Sequence, residues 1–410
     1  MGWNYLKMNK TIYSEKIFPT LFLLFLVFIN SLKIISNLIL LLFFIYGLYL
    51  FLSQHGNPFK NSKIASFSFI TAGYFLVMLF SLISSGMSPS ELTHLSRLAH
   101  FILAPIIALA FYQLDISFST LMKGIKVGSL MIGIISIAQY FTDFNSNLML
   151  GKVGMVNANI FGDIAVIMFF GLLISLHSEK DLNQKIYTIL LALLVLFSIY
   201  FSNSRGSWLS LLIVGSCYFL IIYKPIIKRK IKPSKILIFL VIPVAIFSLN
   251  SNIAERVKQG FNEFDNWSQG INANDSTGLR LQMWSAGLKA FQEKPLFGYG
   301  YRNANIAASK FATENKTTIR NKTHLHNQFI NDMVSAGILG LFSLIILLSI
   351  PIKVFYTNII KYKNYDSSLL GLVVGIGYLT FGFTHIAFGE ENMNALYVFL
   401  MAYLFSRQEN

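Results

Sequence analysis

Apolar residues along this chain gather in runs of about 17–23, each bounded by a short polar segment. At 1.5 Å per residue, such a run crosses a hydrocarbon core of ~30 Å. A segment in lipid has to satisfy its own backbone groups, so each run is predicted to be a helix. Twelve spans are predicted, near 17–36, 38–53, 64–86, 98–113, 121–141, 159–176, 187–202, 207–223, 236–250, 333–352, 367–387 and 393–406. The first follows Lys7, Lys10 and Lys16 as a signal peptide would. It has no small-residue cleavage site and is followed at once by another span, so it is read as retained. The fold class is all-α, a polytopic membrane protein of about twelve transmembrane helices.

One long polar stretch, 251–325, interrupts the pattern and divides the chain. Residues 1–250 hold spans one to nine, 251–325 form a loop domain, and 326–410 hold spans ten to twelve. At roughly 75 residues the stretch exceeds what a connector needs, which points to function. Within it, Ile253, Val257, Phe261 and Phe264 recur at helical spacing. A second helix is capped by Asp275, Ser276 or Thr277 and carries the stripe Leu281, Trp284, Leu288 and Phe291. It stops at Pro295, ahead of a turn at Gly298 and Gly300. A third helix is predicted over 303–313. Such helices either pack on the bundle or lie along the membrane interface.

Charge orients the bundle. Most of the 33 Lys and Arg residues fall in segments that share a side with the N-terminus, above all the block from Lys224 to Lys235. Positive residues in short loops stay in the cytoplasm, so both termini are placed inside and 251–325 outside. Composition agrees with a membrane protein: 54% of residues are apolar, 12% are charged, and mean hydropathy is +0.59. That excludes a soluble domain and a disordered chain. In so apolar a chain the net charge of +15 reports topology and acidic lipids rather than nucleic acid. A single cysteine, Cys217, rules out an intrachain disulfide and a cysteine metal site.

The chemistry concentrates at the outer face. Arg205 sits in SNSRGSWLS between two spans, Arg280 opens the second loop helix, and His326 opens the tenth span beside Asn327. A guanidinium at the membrane edge is a functional-site hypothesis by default. Guanidinium forks hold phosphate oxygens at two points and offset charge as a diphosphate departs. A neutral imidazole accepts the proton of an attacking hydroxyl. Metal-dependent phosphate chemistry calls for carboxylates, and the outer side has one adjacent pair, Glu390 and Glu391. Set against this are duller roles: helix-end snorkelling for Arg205 and Arg97, a solvated position for Arg280, interface-facing side chains for His324 and His326.

Three motifs in order then resemble the bacterial O-antigen ligase and polymerase superfamily. They are SNSRGSWLSL, GLRLQMWSAGLKAFQEKPLFGYG, and HNQFINDMVSAGILG with His326, Asn327, Gly337 and Gly340. VNANIF, with Asn157 and Asn159, resembles a weaker family signal. The resemblance implies a GT-C-like glycosyltransferase of the inner membrane that inverts configuration without metal or other cofactor. Its donor would be a glycan on undecaprenyl pyrophosphate, used at the periplasmic face in lipopolysaccharide biosynthesis. Its acceptor would be the lipid A–core oligosaccharide in a ligase, a second lipid-linked repeat unit in a polymerase, or Ser or Thr in a protein-directed member. Length and the His-Asn motif lean to ligase. Carried over by position, Arg205, Arg280 and His326 are the catalytic set. Arg97, His324 and Asn327 join the two arginines in binding diphosphate or acceptor, and Gly337 and Gly340 allow close packing. A transporter of lipid-linked glycan is the non-enzyme alternative. Few ionisable residues in the middle of spans two to nine, and no visible inverted repeat, weigh against it.

Overall fold

A computed structural model describes residues 16–86, 92–141, 152–153, 156–227, 251–269, 275–301, 303–361 and 365–408. In chain order the helices before the long polar stretch are α1 (Lys16–Phe28), α2 (Lys33–Leu52), α3 (Ser62–Ser84), α4 (Leu92–Leu114) and α5 (Phe118–Phe141). A two-residue antiparallel pair follows, β1 (Lys152–Val153) with β2 (Val156–Asn157). Then come α6 (Ala158–Ser178), α7 (Leu182–Phe201) and α8 (Arg205–Ile227). The polar stretch forms α9 (Ser251–Ser268), α10 (Ser276–Glu293), α11 (Ala304–Phe311) and α12 (Lys316–Arg320). The chain ends with α13 (Gln328–Ile360), α14 (Tyr365–Thr384) and α15 (Glu391–Ser406).

The protein is an all-α polytopic membrane protein. Among the described residues, eight helices are long and apolar enough to cross a membrane, namely α2 to α7, α13 and α14. α1 and the first part of α8 are shorter apolar helices. The expected span at 236–250, and 228–235 of the basic block, lie outside the described residues. Side chains such as Leu38, Phe69, Leu76 and Leu190 point outward and are exposed, as a lipid-facing surface requires. Inside, α15 is sheathed by its neighbours from Asn392 to Ser406. Its two tyrosine hydroxyls reach backbone carbonyls across the core, Tyr397 to Leu347 (2.7 Å) and Tyr403 to Ile116 (2.9 Å). Each hydroxyl is thereby satisfied where water is absent.

The first two helices divide at a different place from the sequence expectation of 17–36 and 38–53. The chain turns at residues 29–32, so Lys33 begins α2 and pairs with Glu391 at 3.4 Å. Asn30 and Lys33 are costly inside an uninterrupted span, and the turn moves Lys33 to a helix end. Side-chain caps set other boundaries. Asn61 accepts from the N–H of Lys63 and Ile64, Asp181 from Gln184, Asp275 from Gly278, and Asn327 from Ile330.

The polar stretch has a small core of its own. Met283, Ala286 and Ala290 of α10 pack with Ala304, Ala307 and Ala308 of α11, Ile319 of α12, and Ile330 and Val334 of α13. Of the stripe Leu281, Trp284, Leu288 and Phe291, Trp284 and Phe291 pack against the edge of this core, while Leu288 is 45% exposed. The small residues turn inward because the neighbours approach closely. A Cβ at Gly287 would stand 2.8 Å from Ile330 Cγ2. The third helix spans Ala304–Phe311, within the expected 303–313. The turn of helix at Lys316–Arg320 and the β pair have no counterpart in the sequence expectation.

α13 carries a break that shapes the site. Gly337 adopts φ 66°, ψ −154° inside it. The loop after α10 docks there: Tyr299 N–H donates to Val334 O (2.9 Å), Gly300 N–H to Ser335 O (2.9 Å), and Ile338 N–H to Pro295 O (2.7 Å). Backbone groups freed by the break are thus paired with the loop, as a low-dielectric setting demands. A Cβ on Gly337 would sit 2.2 Å from Leu296 O. Gly337→Ala is expected to destabilise the fold by ~2 kcal/mol or more, from backbone strain and the clash together. A thermal melt in detergent that matched the parent would contradict this docking.

Candidate functional site

The site forms where α4, α8, α13 and α15 begin, α14 ends, and α9 and α10 meet the start of α8 through Glu263 and Ser276. Arg205 is the first residue of α8. The preceding turn needs Asn203 in the left-handed region (φ 53°), which asparagine tolerates. Ser204 Oγ accepts from Ser207 N–H at 3.3 Å and caps the new helix. The Arg205 guanidinium then reaches the polar stretch. Nη1 and Nη2 each lie 3.3 Å from Glu263 Oε2 of α9, and Nη2 donates to Ser276 Oγ at 3.0 Å. Glu263 is buried and also accepts from Thr277.

Arg280 lies one turn along α10 from Ser276. Among the described residues it has no hydrogen-bond or ion-pair partner. Burial, and next the charge of Arg205, push its pKa down, and Glu263 offsets only part of this. Two guanidinium groups thus face one half-satisfying carboxylate, an arrangement that favours an added anion.

The two histidines sit on a pinned loop. Leu325 between them is fully buried, its carbonyl accepts from Trp284 Nε1 at 3.0 Å, and its N–H donates to Asn331 Oδ1 at 3.4 Å. Upstream, the Asn305 side chain holds the carbonyls of Arg320 and Lys322. His324 and His326 stand with ring centroids 4.3 Å apart. His326 is left-handed (φ 52°), and its Nδ1 is buried with no hydrogen-bond partner among the described residues. Burial and then His324, Arg280 and Lys322 press His326 down to about 3. Burial, followed by His385, Arg280, Arg97 and Lys322, presses His324 down to about 4. Both imidazoles are neutral at physiological pH and lie within electrostatic reach of Arg280.

Arg205, Arg280, His324 and His326 therefore form one continuous group. Arg97 lies beyond His324, with Nη1 donating to Gly389 O at 2.8 Å. Asn327 is occupied in the fold: Oδ1 caps α13, and Nδ2 donates to Phe383 O at 3.3 Å. Glu391 is engaged by Lys33 and Asn37, while Glu390 is half-buried within electrostatic reach of Arg97. Among the described residues, no three His, Cys, Asp or Glu side chains stand together as a metal set. Glu263, Asp163 and His385 were not singled out in the sequence. Asp163 carried a legible signal, a carboxylate within an apolar run.

Beside Arg205 a groove of about 540 Å³ opens, lined by Trp208, Leu209 and Leu212 of α8 and by Gly260, Phe261 and Phe264 of α9. Phe261 and Phe264, predicted as a helical stripe, are 72% and 51% exposed. They cover no core and instead wall this groove.

Comparison with known proteins bears on the segment that builds most of the site. Residues 190–345 match the family model described as O-antigen ligase. This segment is similar to the O-antigen ligase family. The matched segment carries Arg205, Arg280, His324, His326 and Asn327, whereas Arg97, Asp163 and His385 lie outside it. An uncharacterised protein of Haemophilus influenzae is 27% identical over 353 residues, covering 83% of this chain and 84% of that one. A ComP-specific O-oligosaccharyltransferase of Acinetobacter baylyi is 27% identical over 225 residues, or 54% of this chain and 39% of that protein.

Proposed function

We propose that this protein is a glycosyltransferase of the O-antigen ligase kind, moving a glycan from a polyprenyl diphosphate to a hydroxyl at the outer membrane surface. The observation that carries the reading is Arg280, a guanidinium with no hydrogen-bond or ion-pair partner among the described residues, set beside Arg205 and two neutral imidazoles. The diphosphate would sit between the arginines, and the first isoprene units of its lipid would lie on Trp208, Leu209 and Leu212 under Phe261 and Phe264. An apolar groove whose rim carries a guanidinium suits a ligand with an apolar chain and an anionic head.

In the transfer, the acceptor oxygen attacks the anomeric carbon of the donor sugar. The bond from that carbon to the diphosphate oxygen breaks, and its electron pair leaves with the diphosphate. The acceptor proton passes to an imidazole, that of His326, whose Nδ1 has no hydrogen-bond partner among the described residues. In the empty site the neighbouring cations hold His326 neutral but weakly basic. The anionic donor offsets those charges and raises the imidazole pKa toward the working pH, so the base strengthens when there is a reaction to run. Arg205 and Arg280 stabilise charge as it grows on the leaving oxygen.

The acceptor proposed is the lipid A–core oligosaccharide, on the strength of the O-antigen ligase match. The site would then face the periplasm from the inner membrane, in a GT-C-like enzyme. A protein hydroxyl acceptor is the second reading, favoured by the likeness to the Acinetobacter O-oligosaccharyltransferase. A deletion strain distinguishes them. Loss of long-chain lipopolysaccharide with intact core and accumulated lipid-linked polymer supports the ligase. A core bearing one repeat indicates a polymerase. Unchanged lipopolysaccharide with lost glycoprotein indicates the protein-directed reading.

Glu263 occupies the fork of Arg205 that an incoming diphosphate would take. Glu263→Gln removes that competing charge and leaves a hydrogen-bonding side chain of equal size. Donor KM is expected to fall about threefold to tenfold. Steady-state kinetics in detergent check this, and a raised KM would show that the carboxylate assists binding.

A further inference from the structure

Within electrostatic reach of His324 and His326 lies a polar cluster that the transfer described above leaves unused. Asp163, near the start of α6, is fully buried. Its carboxylate pairs with Nε2 of His385, the first residue beyond α14, itself 5% exposed. The other carboxylate oxygen accepts from Ser207 Oγ at 2.7 Å. Ser207 Oγ lies 3.0 Å from Ser204 Oγ, which donates to Asn159 Oδ1 at 2.8 Å. Ser204 and Ser207 flank Arg205, so the pair grips the turn that presents that guanidinium.

The close approach is built in. A Cβ on Gly206 would stand 2.6 Å from Thr384 Oγ1, and one on Gly162 would stand 2.5 Å from Ser207 Oγ. The same contacts give Asn159, Ser204, Gly206 and Ser207 a shared physical task. A buried carboxylate is costly unless a cation and hydrogen bonds meet it. Here His385 and Ser207 meet it, and a satisfied polar network of this kind is rigid. Burial opposes the charged form of His385, yet the Asp163 carboxylate outweighs it and holds the imidazole up. The titratable groups facing His385 are Asp163 from α6, Glu390 from the segment before α15, and His324 and His326 from the loop before α13.

We propose that Asp163 and His385 are a positioning pair of the transfer site: the carboxylate fixes the Arg205 turn through Ser207 and holds His385 as a third positive group facing the diphosphate. The proposal rests on the diphosphate reading of the site. It also assigns work to a carboxylate in α6 and an imidazole after α14, both outside the family-matched segment.

The test uses the full chain in nanodiscs, with farnesyl diphosphate as the binding probe and glycan transfer as a separate readout. Parent protein is expected to bind the probe more weakly as pH rises through the titration of His385. His385→Gln is expected to bind about tenfold more weakly at neutral pH and to flatten the part of the profile that parent and variant do not share. Asp163→Asn should act in the same direction, and the double variant should cost no more than either single change. Ser207→Ala, a milder change, should lower kcat with little effect on KM, because it loosens Arg205 without removing a charge. Should Asp163→Asn fail to fold, His385→Gln and Ser207→Ala, with their melting temperatures matched to the parent, decide the matter. Parent-like binding and pH dependence in His385→Gln, with parent protein binding and transferring normally, overturn the pair's role alone. A parent that neither binds farnesyl diphosphate nor transfers glycan overturns the underlying reading instead.

Discussion

Arg280→Ala is expected to lower glycan transfer about 10²–10³-fold while leaving the protein as stable as the parent. The two halves of that expectation have one cause. Among the described residues Arg280 makes no hydrogen bond or ion pair, and its charge is disfavoured by burial and by Arg205. Removing it costs the fold nothing in pairing and relieves a like-charge contact, so the melting temperature should hold or rise. On the proposed diphosphate reading Arg280 serves a bound ligand, so the loss should appear in transfer. Arg205→Ala differs instructively. It strands buried Glu263 without its cation, so activity and stability should fall together. Transfer assays alongside thermal melts separate the two cases. An active Arg280→Ala would remove the diphosphate from this place.

His326→Asn carries the second large effect. Alanine is a poor probe here because residue 326 lies at φ 52°, which asparagine tolerates and alanine does not. The asparagine variant keeps the turn and loses the proton acceptor, so transfer is expected to drop about 10²–10⁴-fold. His324→Gln is the comparator, since His324 Nδ1 already contacts Thr323 Oγ1 at 2.8 Å and His326 Nδ1 has no hydrogen-bond partner among the described residues. The pH profile supplies the sign. The base works when neutral, so kcat in the donor complex should fall as pH drops through the pKa of the donor-bound imidazole. In the empty site that pKa lies at about 3, and the donor's charge raises it. A kcat profile for His326→Asn that kept the parent's acid limb would assign the limb to another group.

The helical spans, the polar stretch and its helices were legible because lipid and water impose opposite patterns on the chain. The turn at 29–32 was less so, since a short polar interruption between two apolar runs can be absorbed in either. On α10 the stripe of large apolar residues marks only part of the buried face: Trp284 and Phe291 pack on the small core, and close packing on α11 and α13 adds Gly278, Ala286, Gly287 and Ala290. Arg205, Arg280 and His326 stood out as charges and imidazoles beside apolar runs. Their partners did not. Glu263 lies 58 positions from Arg205, and Asp163 lies 222 from His385. Such pairings are fixed by tertiary packing, and a single sequence carries no periodicity that announces them. Gly337 illustrates the same limit: its spacing suggested helix packing, while its task is to break α13 so that the loop from Pro295 to Gly300 can dock.

The central claim is that Arg205, Arg280 and His326 surround one diphosphate. The most direct test is a cryo-EM map of the protein in nanodiscs with a bound polyprenyl diphosphate. The account predicts diphosphate density between the two guanidinium groups, Glu263 withdrawn from Arg205, and the lipid chain running along Trp208, Leu209 and Leu212. Density for the diphosphate elsewhere, with the Arg205–Glu263 pair intact and Arg280 still without a partner, would contradict it.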